Sequence, residues 1–311
     1  MTAVVEVEDL RKSYGSVERL HAISFQVQAG EILGFLGVNG AGKTTTIEIL
    51  EGYRPRNGGR VSVLGVDPAH ATREWRNRIG LVLQECELDP VYTVRETVGM
   101  FARYFAHPTD VMATIDAVGL SEKSNDRIGR LSGGQKRRLD VALGLVGDPE
   151  VLFLDEPTTG LDPVARREMW TMIDGLRKAG KTIFLTTHYM DEAEHLADRI
   201  IILRAGVIAA QGTPEELSAT LGYQTEITFE PSHGFEIGRL RTVIGDRVVL
   251  EDSLVRLKSN SVQADLNLLL EWAKVERVDL VSLQAIRPSL DDVFVKLAGE
   301  GSSTDQGVAG E

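Results

Sequence analysis

The sequence predicts an α/β fold, a parallel sheet with helices on its faces, followed by a small C-terminal α+β domain. Three observations carry that expectation. A glycine-rich loop, Gly37-Val38-Asn39-Gly40-Ala41-Gly42-Lys43-Thr44-Thr45, follows the apolar stretch Ile32-Leu33-Gly34-Phe35-Leu36, which reads as a buried strand. It precedes a segment whose Ile47, Ile49 and Leu50 suit the buried side of a helix. A second apolar run, Val151-Leu152-Phe153-Leu154, ends in the acids Asp155 and Glu156. Strands alternate with helical patterns through the first two thirds of the chain, as in a parallel sheet.

In chain order, residues 3–10 alternate around Val5 and Val7, as an edge or half-buried strand does. Arg11-Lys12-Ser13-Tyr14-Gly15 reads as a turn carrying an exposed aromatic. Strands at Ile23-Ser24-Phe25-Gln26-Val27 and at residues 58–65 complete an antiparallel layer around the glycine-rich loop. Residues 72–78 read as helix, and Ile79-Gly80-Leu81-Val82-Leu83-Gln84 as a buried strand with a polar end. Residues 93–120 are helical, with Phe101, Tyr104 and Phe105 expected as a core stripe. A helix runs from Ser132 to about Leu145, and another over residues 164–179. Strand 182–187, helix 190–197 and a hairpin of strands 199–203 and 207–210 follow.

The character changes near residues 217–222. Residues 224–230 and 247–257 alternate, residues 262–274 are helical, and residues 278–283 read as a strand. The expected domains are therefore 1–221 and 222–299, with the small polar residues 300–311 as a disordered tail.

The 311 residues are 42% hydrophobic and carry a formal net charge of −12, which argues against a nucleic-acid surface. The single cysteine, Cys86, allows no internal disulfide and reads as a packed small residue, in keeping with a reducing, cytosolic setting. No run of about 18 apolar residues is present, and residues 1–6 lack the pattern of a secretory signal. Work at a membrane would need another chain to hold this one there.

The chemistry is concentrated in three places. Glycines let a backbone wrap closely around a polyphosphate, and a helix N-terminus points free N–H groups at the same place. Lys43 suits the β- and γ-phosphates, and the Thr44 hydroxyl suits Mg²⁺. Acids at the C-terminal end of a buried strand reach the crevice where such sheets bind ligands, so Asp155 suits the Mg²⁺ shell and Glu156 a polarised water. Ser132-Gly133-Gly134 before a helix is a second anion site or an ordinary Ser cap.

The loop of residues 37–45, Gln84, Leu131-Ser132-Gly133-Gly134-Gln135, residues 151–156, Gly160-Leu161-Asp162 and His188 follow the order of an ABC-transporter ATPase. The chain resembles that family over about residues 4–218. The resemblance implies a P-loop NTPase core with an antiparallel β subdomain and a helical subdomain. It further implies two protomers head to tail with two ATP molecules between them. By the same resemblance Tyr14 stacks on adenine, and Val38, Asn39, Gly40, Ala41, Gly42, Lys43, Thr44 and Thr45 cradle the phosphates. Gln84 links Mg²⁺ and the attacking water to a membrane partner. Ser132, Gly133, Gly134 and Gln135 close on the γ-phosphate held by the other protomer, Asp162 lies in the loop crossing the interface, and His188 contacts the γ-phosphate. Val38 stands where the family usually has Pro, which adds an N–H donor and loosens the turn.

Within the family the chain looks most like drug-exporter ATPases of the daunorubicin-resistance type, through Pro157-Thr158-Thr159-Gly160-Leu161-Asp162-Pro163, Thr187-His188-Tyr189-Met190-Asp191-Glu192-Ala193-Glu194 and Pro288-Ser289-Leu290-Asp291-Asp292-Val293-Phe294. That implies ATP and Mg²⁺ as cofactors, a homodimer, a separate membrane permease and a place at the cytoplasmic face of the membrane. An importer subunit, or an ABC ATPase acting on ribosomes or DNA, is the alternative.

Overall fold

The chain opens with a long hairpin of β1 (Ala3–Tyr14) and β2 (Val17–Gln28). Strand β1 continues through Tyr14, which pairs with Val17, so residues 11–14 are strand where a turn was expected. Register shifts after Val7 and Leu10, with Asp9 in the left-handed region at φ 48°, break the period-2 alternation that marks a strand in sequence. After β3 (Ile32–Leu36) come α1 (Lys43–Leu50) and β4 (Gly58–Val63). Strand β4 returns to β1, giving an antiparallel sheet in the order β2-β1-β4.

The chain then runs through α2 (Arg73–Arg76), β5 (Ile79–Val82), α3 (Val94–Ala102), α4 (Val111–Ala117) and α5 (Gly133–Leu145). Next are β6 (Val151–Asp155), α6 (Pro163–Lys178), β7 (Thr182–Thr187), α7 (Met190–Leu196), β8 (Arg199–Arg204) and β9 (Val207–Gly212). The main sheet has the order β5-β6-β7-β3-β8-β9, parallel except for the edge strand β9. Every residue of β3, β6 and β7 is buried, which explains the apolar runs of β3 and β6 and the Ile183-Phe184-Leu185 centre of β7. The core between the two sheets is stitched by aromatic rings: Phe25 and Phe35 at 5.5 Å, Phe35 and Phe184 at 5.3 Å, and Phe153 and Phe184 at 5.8 Å.

The structure is a computed structural model that describes residues 2–83, 87–220, 225–232, 235–286 and 290. Its two compact units are Met1–Pro214 and Glu215–Glu311. After α8 (Pro214–Thr220), the second unit contains β10 (Thr225–Pro231), α9 (Ile237–Ile244), β11 (Val248–Glu251), β12 (Leu254–Ser259), α10 (Val262–Glu276) and β13 (Leu280–Ile286). These strands form a separate antiparallel sheet in the order β11-β12-β10-β13. Leu240 and Ile244 of α9, and Leu269 and Trp272 of α10, pack with Ile227, Phe229, Val255 and Leu257 of the sheet. Helix α9 has no counterpart in the sequence reading; eight residues with two buried positions are too short for a clear helical period. Gln84, Cys86 and the tail 300–311 lie outside the described residues.

The expected aromatic core stripe is not a core. Tyr104 is 71% exposed, and Phe101 and Phe105 are only half-buried. Helix α3 ends at Ala102, so Tyr104 and Phe105 are not in helical phase with Phe101. Phe101 and Phe105 instead line an open groove with Leu81, Leu83 and Leu143, whose floor carries Glu51 and Asp140.

Candidate functional site

The strand order decides where the chemistry meets. Strands β6, β7 and β3 are parallel neighbours, so their C-terminal ends lie side by side. Asp155 pairs with Thr186, and Thr187 with Leu36, the last residue before the glycine-rich loop. The acids, His188 and the loop, distant in sequence, thus occupy one end of the sheet.

Two glycines of the loop are required by packing. A Cβ on Gly37 would lie 2.6 Å from the Leu203 carbonyl oxygen. Gly42 has φ 114°, and a Cβ there would lie 2.6 Å from a Leu20 methyl. Gly42 also occupies the N-cap of α1, so no side chain caps the helix, and its first turn holds no acid. The free N–H groups of that turn are left for an anion. The cavity beside them, about 560 Å³, is lined by Asn39, Gly40, Gly42, Lys43, Thr44 and Thr45 on the loop side. Glu156, Thr159, His188 and Arg19 line it opposite and beside the loop.

Lys43 is 5% exposed. Its Nζ donates to the Gly37 carbonyl at 2.7 Å and stands 3.3 Å from Glu156 Oε1. Glu156 has φ 46°, in the left-handed region that costs a side-chain-bearing residue about 1–2 kcal/mol. That turn is held by its N–H, which donates to both the carbonyl and the hydroxyl of Thr186 at 3.1 Å. It brings the carboxylate into the cavity, where Thr159 donates to Oε2 at 3.2 Å and His188 Nδ1 stands 3.2 Å away. Burial pushes the Glu156 carboxyl up, but Lys43 and His188 together outweigh it and hold the group below its ordinary range.

Asp155 is buried, does not line the cavity, and accepts from the Thr186 hydroxyl. Burial pushes its carboxyl up; the Thr186 hydrogen bond opposes this, and the charge of Glu156 adds to it. Of the two hard oxygen donors suited to a divalent cation, Thr44 lines the cavity, and the Asp155 carboxyl is buried outside its lining and engaged by Thr186.

Tyr14 is 42% exposed, with its hydroxyl 3.4 Å from Thr45 Oγ1 and its ring flanked by Lys12 and Arg54 at 5.2 and 5.3 Å. Ala41 is buried, while Val38 is half-exposed and its carbonyl accepts from the Ala41 N–H. Ser132 caps α5 in a reciprocal box: its hydroxyl accepts from the Gln135 N–H at 3.2 Å, and Gln135 Oε1 accepts from the Ser132 N–H at 2.9 Å. Gly134 lets α5 approach α6, since a Cβ there would lie 2.8 Å from the Ala165 methyl. Asp162 caps α6 by accepting from Val164 and Ala165. Neither Asp162 nor residues 132–135 line the cavity of their own chain.

Arg19, Thr159 and Arg137 were not among the sequence-derived site residues. Arg137 is buried and donates to the carbonyls of Leu83, Asp155, Glu156 and Pro157, joining α5 to the acidic strand end and to the chain before Gln84. Its signal was present: it lies four residues before the apolar Val141 on a buried helix face. Arg19 carries no such signal, because the stretch of β2 that holds it matches no motif.

Residues 20–159 match the family described as ABC transporter. Residues 225–289 match the ABC transporter domain-containing protein-like, C-terminal domain. Over 305 residues the chain is 39% identical to Nod factor export ATP-binding protein I of Rhizobium etli, covering 96% of this chain and 94% of that one. It is 38% identical over 312 residues to the protein of the same name from Paraburkholderia xenovorans, covering 96% and 97%. A solved ATP binding subunit of an ABC transporter superposes with a TM-score of 0.63 at 24% identity, over 77% of this chain and 98% of that one. The dimeric post-hydrolysis state of an ATP-binding cassette bound to ADP and Pi gives 0.60 at 23% identity, over 67% and 98%. These two structures speak for the fold, and the near-full-length relatives for the family. With a phosphate loop, an acidic strand end and a histidine gathered at one end of such a sheet, the chain belongs to the ABC transporter family as an ATP-binding and ATP-hydrolysing subunit.

Proposed function

We propose that this chain is the ATPase of an exporter, closing as a head-to-tail homodimer on Mg-ATP and driving a separate permease. The convergence of Lys43, Glu156 and His188 on one cavity beside an uncapped helix N-terminus carries the reading. Lys43 and the first-turn N–H groups meet the β- and γ-phosphates, which takes Lys43 away from Glu156. Glu156, ionised at neutral pH because Lys43 and His188 lower its proton affinity, accepts a proton from the attacking water. His188 orients Glu156 in the free chain and faces the γ-phosphate when it is present. Thr44 and Asp155, with Gln84, would hold Mg²⁺, which would supply charge compensation for the phosphates. Tyr14 offers its exposed ring to adenine.

The half-site of Ser132, Gly133, Gly134, Gln135 and Asp162 serves the nucleotide of the other protomer. Its absence from the cavity of its own chain supports this, as does the dimeric state of a fold relative. Residues 1–221 are assigned to nucleotide binding and residues 222–299 to stabilising the dimer, as the sequence suggests, although the compact units divide after Pro214.

The permease is a separate chain at whose cytoplasmic side this subunit sits, as the family resemblance implies; no described helix of this chain is long and apolar enough to cross a membrane. The groove of Leu81, Leu83, Phe101 and Phe105, on the chain leading to Gln84, is the surface offered to it. The cargo is a drug, an antibiotic or another lipophilic small molecule, by the daunorubicin-type motifs. A Nod factor-like cargo is the second reading, favoured by relatives named for Nod factor export that match nearly the whole chain.

The test places cysteines at Asn39 and Ser132 in a Cys86→Ser, Glu156→Gln background. A short crosslinker should give a covalent dimer with ATP and little without it. If the variant binds ATP yet yields only monomer, or only an internal crosslink by mass spectrometry, the trans arrangement is wrong.

A further inference from the structure

We propose that Arg19 is a second cationic contact for the phosphate chain of the nucleotide, working beside Lys43; this rests on the reading of the cavity as an ATP site. Arg19 lies on β2, outside the phosphate loop, yet its side chain crosses to it. Nη1 donates to the Gly40 carbonyl at 2.7 Å, and the residue lines the same cavity as Lys43 and Glu156.

The backbone at this point is wedged. A Cβ on Gly42 would lie 3.4 Å from the Arg19 carbonyl oxygen, and one on Gly206 only 2.3 Å from it. Two residues on, His21 is tied by its N–H to the Gly206 carbonyl at 2.9 Å. The strand therefore keeps the Arg19 side chain beside the loop.

The distribution of charge separates Arg19 from the other cation. Lys43 already faces the Glu156 carboxylate at 3.3 Å, and His188 faces the same carboxylate. The acid next to Arg19 in sequence, Glu18, is taken by Arg11 at 3.0 Å and by His21 at 3.2 Å. Among the described residues no carboxylate stands within ion-pair distance of Arg19; its one hydrogen bond there is to a neutral carbonyl. A guanidinium carries five N–H donors, so four remain for an anion entering the cavity. Arg is suited to phosphate oxygens by its planar fork and weak hydration.

The test compares Mg-ATP binding by the full-length chain, Arg19→Gln and Arg19→Lys, by calorimetry at about 50 mM and about 500 mM salt. Arg19 is exposed, so both variants should melt as the parent does. Arg19→Gln should bind about tenfold more weakly at low salt, the gap should narrow at high salt, and Arg19→Lys should recover most of the affinity. Equal binding by parent and Arg19→Gln overturns the proposal, as does a loss of equal size at both salt concentrations, which assigns Arg19 to shaping the loop through Gly40. A parent chain that binds no Mg-ATP at either salt concentration refutes the ATP reading of the cavity itself.

Discussion

Replacing Glu156 by Gln should tighten the binding of Mg-ADP while nearly abolishing hydrolysis. In the free chain the Lys43 ammonium and the Glu156 carboxylate are 3.3 Å apart and only 5% and 12% exposed. A nucleotide phosphate must therefore compete with Glu156 for Lys43 and bring its own negative charge towards that carboxylate. At an effective dielectric of about 20, two unit charges at this distance interact by roughly 5 kcal/mol, which is a ceiling. Desolvation of both groups offsets most of it. Lys43 also keeps its hydrogen bond to the Gly37 carbonyl in either variant. A net gain of about 1–2 kcal/mol remains, roughly five- to thirtyfold in Kd. ADP is the ligand of choice because slowed turnover of ATP would imitate tighter binding. Calorimetric titration of parent and Glu156→Gln between about pH 6 and 8 should show a constant gap, since Glu156 stays ionised there; as pH falls through its lowered pKa, protonation imitates Gln and the gap closes. ATP turnover by the same variant should fall roughly a hundred- to ten-thousandfold. Equal or weaker ADP binding by Glu156→Gln would show that the carboxylate does not compete for Lys43, and turnover within a few-fold of the parent would remove it as the base.

Three further outcomes are expected. Glu51, buried on the groove floor, has its carboxyl pushed up to about 8, first by burial and then by the charges of Asp155 and Glu48. Such a group stabilises the fold below its unfolded pKa of about 4.5 and loses that contribution as pH rises towards 8, so Glu51→Gln should match the parent in urea melts near pH 4.5 and exceed it by roughly 2–4 kcal/mol at pH 8. A gap that does not grow with pH would refute the burial argument. Lys43→Ala should weaken equilibrium binding of a fluorescent ATP analogue, and unchanged affinity together with unchanged hydrolysis would remove Lys43 from the site. Truncation after residue 221 should leave a folded nucleotide-binding core whose ATP-dependent dimer is weaker by sedimentation, and equal dimerisation of the truncated and full-length proteins would deny the second unit its stabilising role.

The sequence by itself determined the pieces whose chemistry is local. Gly37 and Gly42 are legible because only a residue without a side chain fits a loop pressed against Leu203 and Leu20. The runs at β3 and β6 are legible because a strand covered on both faces is almost wholly apolar. Ser132 is legible as a helix start because capping is read over three residues, whereas the capping role of Asp162 emerged only in the structure. Tertiary structure decided what no short window contains. Strand β3 lies between β7 and β8, although β4, β5 and β6 intervene in the chain, and this order places Lys43, Glu156 and His188 around one cavity. The left-handed turn at Glu156 is maintained by Thr186 of the neighbouring strand. The end of α3 at Ala102 turned an apparent core stripe into the lining of an open groove. Arg19 reached the phosphate loop from a strand with no motif. Periodicity and capping report what one segment demands of its own surroundings; the pairing of strands far apart in the chain is settled only when their buried faces compete for the same core.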